Sequence, residues 1–266
     1  MSSVSQQTSA SSDDCRDANA IRLSAGNYTL RLATGAEDLA RICALRFAVF
    51  NLELNEGLSA SYATGQDQDE FDAHCDHLLV EDRRTGDVIG TYRMQDRTMA
   101  NRGAGFYSDT EFVLSDMGDD ILDRTIELGR ACIHEEHRNT RVLFLLWKGL
   151  ARYMTSRGHL YFFGCCSLTS QDPAEGHALY KRLQEQGSCA DDVIVRVRDT
   201  FACPYPTNLD AIEKPRVPKL MRLYLTYGAK IVSGPALDRE FSTIDYLTLF
   251  DIRSLDEQAK RLFLDG

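Results

Sequence analysis

Ionisable residues stand at a few places in this 266-residue chain where their type and spacing suit chemistry. Glu127-Leu-Gly-Arg130 sets a carboxylate and a guanidinium three positions apart on a segment that reads as a strand. A carboxylate there can take a proton from an attacking group, while an arginine can orient a second carboxylate or fix the first. The same two residues also fit a plain structural ion pair. Upstream stand Arg46, Asp69-x-x-Asp72 and Arg93. These opposite charges suit a network that orders the polar stretch 53–72, or that simply ties helix to sheet. Glu56, inside that stretch, is a second candidate proton acceptor. Cys132, Cys165 and Cys166 would permit a thiol-relay mechanism, but apolar surroundings raise a thiol pKa, so they read as core. His74-Cys75-Asp76-His77 looks metal-like. Strand alternation would send its members to opposite faces, so no metal site is expected there.

Elements that could position these residues follow from periodicity and turn residues. Residues 28–33 alternate as a first strand. Thr34 and Glu37 have capping-box spacing ahead of the helical pattern Leu39, Ile42, Leu45, Val49. A hairpin follows, with strands over 77–81 and 88–94 around Arg83-Arg84-Thr85-Gly86. A strand lies within 121–133, then a basic loop, then a helix over 142–157 closed by Gly158. The run 160–168 has the length of a buried strand. Ser170-Gln-Asp-Pro opens a helix to Gly187, and 193–197 alternates again. Pro218 starts a helix ended by Gly228, 245–252 is a last strand, and Ser254 with Glu257 suggests a capping box for a terminal helix. The order predicts an α/β (α+β) fold: a mixed central sheet flanked by helices, with a C-terminal helix-strand-helix extension over about 204–266. Residues 1–25 are poor in apolar side chains and read as a disordered tail, leaving 26–266 as one domain.

Composition narrows the function. The net charge of −10 disfavours nucleic acid. No run approaches the ~18 apolar residues of a membrane span, and the polar N-terminus lacks a secretory signal, so a cytoplasmic location is expected. Eight irregularly spaced cysteines then read as reduced thiols.

Four patterns in order, Arg46-x-x-Val49-Phe50, Asp69-x-x-Asp72 before His77-Leu-Leu-Val80, Gly90-Thr-Tyr-Arg93 and Glu127-x-x-Arg130, resemble the acyl-carrier-protein-dependent branch of the GNAT superfamily. That branch includes acyl-homoserine-lactone synthases and N-acyl amino acid synthases. The resemblance is greatest to the ornithine-acyl-ACP N-acyltransferases, through the segments 72–80, 105–112 and 127–134, and through Tyr227-Gly-Ala-Lys230 with Phe241 and Asp245 beyond. It covers about residues 28–264. It implies transfer of a long acyl or 3-hydroxyacyl chain from acyl carrier protein to the α-amine of an amino acid such as ornithine. Glu127, Arg130 and Glu56 are then the catalytic candidates, and Arg46, Asp69, Asp72 and Arg93 shape the amine side, with Asp72 available for a cationic group. No bound cofactor is expected; the donor is the acyl-phosphopantetheine of the carrier protein.

The loop His137-Arg-Asn-Thr-Arg141 lacks the glycines with which CoA-dependent relatives hold a pyrophosphate. Arg138, Arg141 and Lys148 could instead hold a single phosphodiester and meet an acidic carrier protein. The helix that follows offers its N-terminus. The apolar residues of 160–166 and 143–150 could line an acyl tunnel. An apolar product suggests transient contact with the inner membrane face. Other readings are a homoserine-lactone synthase using S-adenosylmethionine, a non-catalytic acyl-binding module of the same fold, and a membrane-lytic protein, which the lack of a lytic amphipathic segment disfavours.

Overall fold

A computed structural model describes residues 21–207 and 215–264. Nine strands form one sheet: β1 (Arg22–Ala25), β2 (Tyr28–Leu32), β3 (Asp76–Asp82), β4 (Val88–Asp96), β5 (Thr125–Ile133), β6 (Tyr161–Leu168), β7 (Lys230–Ile231), β8 (Ala236–Asp238) and β9 (Thr243–Asp251). The spatial order is β1-β2-β3-β4-β5-β6-β9-β7, with β8 also on β9. Every pairing is antiparallel except β5 with β6. The anticipated mixed sheet and flanking helices are therefore present. Residues 1–20 of the anticipated tail, with Cys15, lie outside the described residues. Its last part does not stay free: Arg22–Ala25 pair with β2. The other seven cysteines are free thiols.

Helix α1 (Gly35–Arg46) starts where expected but is capped differently. The Asp38 carboxylate, one turn in, takes the N–H of Thr34 at 2.8 Å, so Glu37 is not the partner. The helix widens over Phe47–Glu53 into a π-helical turn closed by Leu54 N–H to Val49 C=O at 3.0 Å. Short helices α2 (Arg97–Arg102) and α3 (Asp119–Leu122) lead into β5. Asn139 caps α4 (Thr140–Ser156) by accepting from Val142 N–H. Asp172 caps α5 (Pro173–Glu185), with Pro173 in the first turn, where its missing N–H costs nothing. Segment 193–197 forms only isolated bridges, Val195 to Ser233 and Val197 to Phe112, instead of a strand. Helix α6 (Lys219–Thr226) precedes β7, and α7 (Glu257–Phe263) ends the described chain. Asp256, not Ser254, caps α7.

The C-terminal strand is integral to the sheet: β9 pairs with β6 from Tyr161/Asp251 to Leu168/Ile244. The main core lies between one sheet face and α4, where Val142, Leu146, Leu150 and Tyr153 meet Leu30, Leu78, Met94 and Ile126. The other face packs Ile42, Leu45 and Val49 on Leu79, Val88 and Cys132.

Two irregularities matter for function. The parallel ladder between β5 and β6 holds only at Thr125/Tyr161, Ile126/Phe162 and Glu127/Phe163. Beyond that the strands separate, β6 staying with β9, and the β6-facing edge of β5 is left without a strand partner. Gly164 stands where they part. A Cβ there would lie 2.3 Å from the Leu128 carbonyl oxygen, and that neighbour is backbone. The second irregularity is a bulge opposite Tyr92: Thr91 pairs with Cys132 and Arg93 with Gly129, so Arg130 and Ala131 share one partner position. Arg130 accommodates it at φ 48°, in the left-handed region.

Gly164→Ala is therefore expected to lose about 1–3 kcal/mol of stability by forcing the strands apart. Chemical denaturation measures this, and an unchanged unfolding midpoint would contradict the close approach.

Candidate active site

The separation of β5 and β6 opens a cavity of about 410 Å³. Consecutive residues of both strands line it, Leu128–Ala131 and Phe162–Ser167, so it lies between the strands and reaches both faces of the sheet. On the α4 side its walls are apolar and aromatic: Tyr92, Trp147, Leu150, Tyr224, Tyr227 and Phe263. Trp147 stacks on Tyr224 at 5.8 Å between centroids, and the Tyr92 and Tyr224 hydroxyls meet at 2.5 Å. On the other side stand Arg130, Glu56, Tyr107, Phe241 and Asp245.

Arg46, Asp69, Asp72 and Arg93 are brought together, with Asp67 as a further member. Arg46 has no exposed surface. It donates to Asp67 at 2.5 and 2.8 Å and to Asp72 at 2.6 Å. Arg93 donates to both oxygens of Asp69, at 2.5 and 2.7 Å, and to Asp72 at 3.1 Å. Burial alone would push the Asp72 carboxyl up; Arg46 and Arg93 beside it hold it well below the usual range. Asp72 also accepts the Asp69 N–H, so its oxygens are filled from within. It is not among the residues that line the cavity, although the resemblance made it available for a cationic substrate group.

Arg130 completes the cluster from β5. It donates to Asp69 at 3.2 Å, lies 4.4 Å over the Phe241 ring and 5.8 Å over that of Tyr107, and its Nε has no hydrogen-bond partner. That Nε is buried 3.6 Å from an Asp67 oxygen, so an incoming carboxylate can meet only the part of the guanidinium that lines the cavity. It makes no pair with Glu127, so neither the structural ion pair nor an arginine fixing that carboxylate is present. Glu127 instead accepts from Gln95 Nε2 at 2.5 Å, Tyr107 N–H at 3.0 Å and Ser108 N–H at 2.7 Å. It thereby holds the N-terminus of the 3-10 turn Tyr107–Thr110. It borders a separate space of about 10 Å³ shared with Arg93, Gln95, Tyr107 and Gly129. That is room for about one water. Glu56 lines the large cavity and accepts from Thr169 Oγ1.

The basic residues are less concentrated than their spacing suggested. Arg138 forms a bidentate pair with Glu53 at 2.5 and 2.6 Å and donates to Ile133 C=O. Arg141 is exposed at the start of α4, beside Gly26, and Lys148 is half-buried two turns on. The thiols behave as core: burial pushes Cys132 and Cys166 up to about 12, and Cys165 well above its ordinary value.

A further group received no role from sequence. Glu111, fully buried after the turn that Glu127 holds, stands with Cys165 and Asp245, ligating atoms within 4.8 Å of one another. Burial, then the neighbouring Asp245 and Asp238, pushes the Glu111 carboxyl far up. Burial also raises Asp245, against a hydroxyl of Ser167. Asp245 Oδ1 and Glu111 Oε2 have no hydrogen-bond partner.

The chain is similar to known proteins in sequence and in fold. A family model described as an acetyltransferase (GNAT) domain matches residues 45–148. An L-ornithine N(alpha)-acyltransferase of Rhizobium meliloti (strain 1021) is 32% identical over 85% of this chain and 80% of the relative. The enzyme of the same name from Brucella abortus (strain 2308) is 31% identical over 88% and 87%. Among solved structures, the AHL synthase LasI matches 90% of this chain and 95% of its own, at 13% identity and a TM-score of 0.50, a likeness of fold.

The raised Glu111 pKa has a measurable sign. The folded protein holds this proton more tightly than the unfolded chain, so the associated stability is full below the ordinary carboxyl range and is lost as pH rises above it. Glu111→Gln cannot ionise, so its melting temperature relative to the parent is expected to climb between pH 5 and pH 8. Parallel profiles would contradict a buried, proton-holding Glu111.

Proposed function

This chain belongs to the L-ornithine N(alpha)-acyltransferase family and is an acyltransferase, and from that premise we propose that it moves a long acyl or 3-hydroxyacyl chain from acyl carrier protein to the α-amine of an amino acid such as ornithine. One observation carries the reading: a cavity between β5 and β6 with aromatic walls on one side of the sheet and Arg130 with Asp245 on the other. An acyl chain suits the aromatic half, where burying each CH2 is worth about 0.8 kcal/mol. The thioester then lies at the parting of the strands. There the unpaired edge of β5 can offer backbone N–H groups to the amide-bearing pantetheine arm and to the oxyanion.

The acceptor approaches from the other face. Arg130 takes its α-carboxylate, which places the α-amine toward the gap. The amine nitrogen attacks the thioester carbon, the C–S bond breaks, and the thiolate leaves on the pantetheine arm. Glu127 removes the amine proton through a water held in the small space beside Gly129. Gln95 and the two turn N–H groups fix its carboxylate while it does so. Asp69 and Arg93 hold Arg130 in place; Glu56, on the cavity wall, is the second candidate base. Arg141 at the start of α4, Lys148 two turns on, and Arg138 on exchanging its Glu53 partner contact the phosphodiester and the acidic carrier protein. Among the described residues no helix is long and apolar enough to cross a membrane, so an apolar product would reach a bilayer by transient contact of the protein with its surface.

Incubation with 3-hydroxypalmitoyl-acyl carrier protein and ornithine is expected to give Nα-acylornithine by mass spectrometry. No acylated amine from a panel of amino acids would contradict the reading. Glu127→Gln should lower turnover about 10²–10⁴-fold with carrier-protein binding retained. Near-normal turnover would remove Glu127 from the role of base.

A further inference from the structure

The buried acids behind the acceptor side have no part in the chemistry just described. Asp245 lies on β9 opposite Ser167 and is 3% exposed, yet it lines the large cavity with an oxygen that meets no donor. Glu111 stands behind it with no exposed surface and an unpartnered oxygen of its own. No arginine or lysine pairs with either among the described residues, whereas Asp67, Asp69 and Asp72 nearby are matched to Arg46, Arg93 and Arg130. An unpaired buried carboxylate is costly, and a cation supplied by a ligand removes that cost. With Glu111 keeping its proton, Asp245 carries the pair's negative charge, and the buried Asp238 carboxyl near both adds to the preference for a cation. Glu111 in the protonated form can donate to Asp245, which leaves the other Asp245 oxygen for the ligand.

Arg130 and Asp245 line the same side of one cavity, with the rings of Tyr107 and Phe241 between the flanking elements. One end of that space therefore suits a carboxylate and the other a cation, with an apolar wall along the way. We infer that Asp245, backed by Glu111, seats the side-chain ammonium group of the acceptor while its α-amine reacts. This rests on the acyl-transfer reading for the identity of the reacting amine, but not for the seat itself.

The test compares L-ornithine with L-norvaline, the same carbon chain lacking the side-chain amine. Both are titrated calorimetrically into the full-length protein in the presence of a thioether analogue of palmitoyl-pantetheine, and both are assayed as acceptors. Ornithine is expected to bind at least tenfold more tightly, to be favoured by on the order of 100-fold or more in kcat/KM, and to lose most of that advantage in Asp245→Asn. The parent protein alone decides the matter if the variant fails to fold: equal affinity for the two amino acids, or no binding of ornithine, overturns the seat. A stoichiometric divalent metal ion in the purified protein, lost in Asp245→Asn, overturns it too. Selective binding of ornithine without acylation would keep the seat and remove the transfer reading. Acylation of both acceptors with equal kcat/KM would keep transfer and remove the seat.

Discussion

The parting of β5 from β6 after Glu127 and Phe163 is the constraint on which the site depends. A sheet interior normally pairs every backbone N–H and C=O, and leaving them unpaired away from water is costly. Here the chain accepts an open edge in the middle of its sheet, just past the point where Gly164 still lies close against the Leu128 carbonyl. Strand β9 keeps β6 in order over its whole length, so the opening does not unravel into a loop. The cavity is a consequence: it has one wall from each strand and passes from the aromatic face to the charged one.

The charged face is shaped by a buried lattice of three arginines and three aspartates. Removing such groups from water is expensive, and their mutual attraction roughly balances it, so the lattice is better understood as setting geometry than as adding stability. Its members come from α1, the 67–72 segment, β4 and β5, four parts of the chain far apart in sequence. It draws the 67–72 segment down onto the sheet and holds Arg130 in its left-handed backbone conformation beside the cavity. Glu127 does related work one turn away, pinning the Tyr107–Thr110 turn whose following residue is Glu111. The catalytic candidates and the residues that hold the loops are thus the same set of side chains.

Much of this was legible in the residues themselves. Hairpin, buried strand and helix boundaries followed from alternation, glycine and proline, and the Arg46–Asp69–Asp72–Arg93 cluster from opposite charges within the ordered motifs. What was not legible depended on contacts between distant parts. Asp67 is one of several acids in a polar stretch, and nothing local marks it as the partner of Arg46. In a regular strand Glu127 and Arg130 point to opposite faces. The bulge at Arg130 breaks that period and lets both reach Tyr107, one through its N–H and the other over its ring. Glu111 and Asp245 lay within segments that carried the family resemblance, yet acids in a polar stretch and at a strand start give no sign of burial. Only the approach of the 106–112 segment to β6 and β9 makes them a pair. The capping boxes failed for a simpler reason: another acid one or two residues away, Asp38 or Asp256, reached the free N–H groups instead.

The most direct measurement of the account is a crystal structure with the thioether analogue of an acyl-pantetheine. The amide-bearing arm is expected against the exposed edge of β5, the sulfur between Leu128–Ala131 and Gly164–Cys166, and the chain among Tyr92, Trp147, Leu150 and Tyr224. An analogue bound elsewhere, with β5 and β6 still parted and the space between them empty, would contradict it.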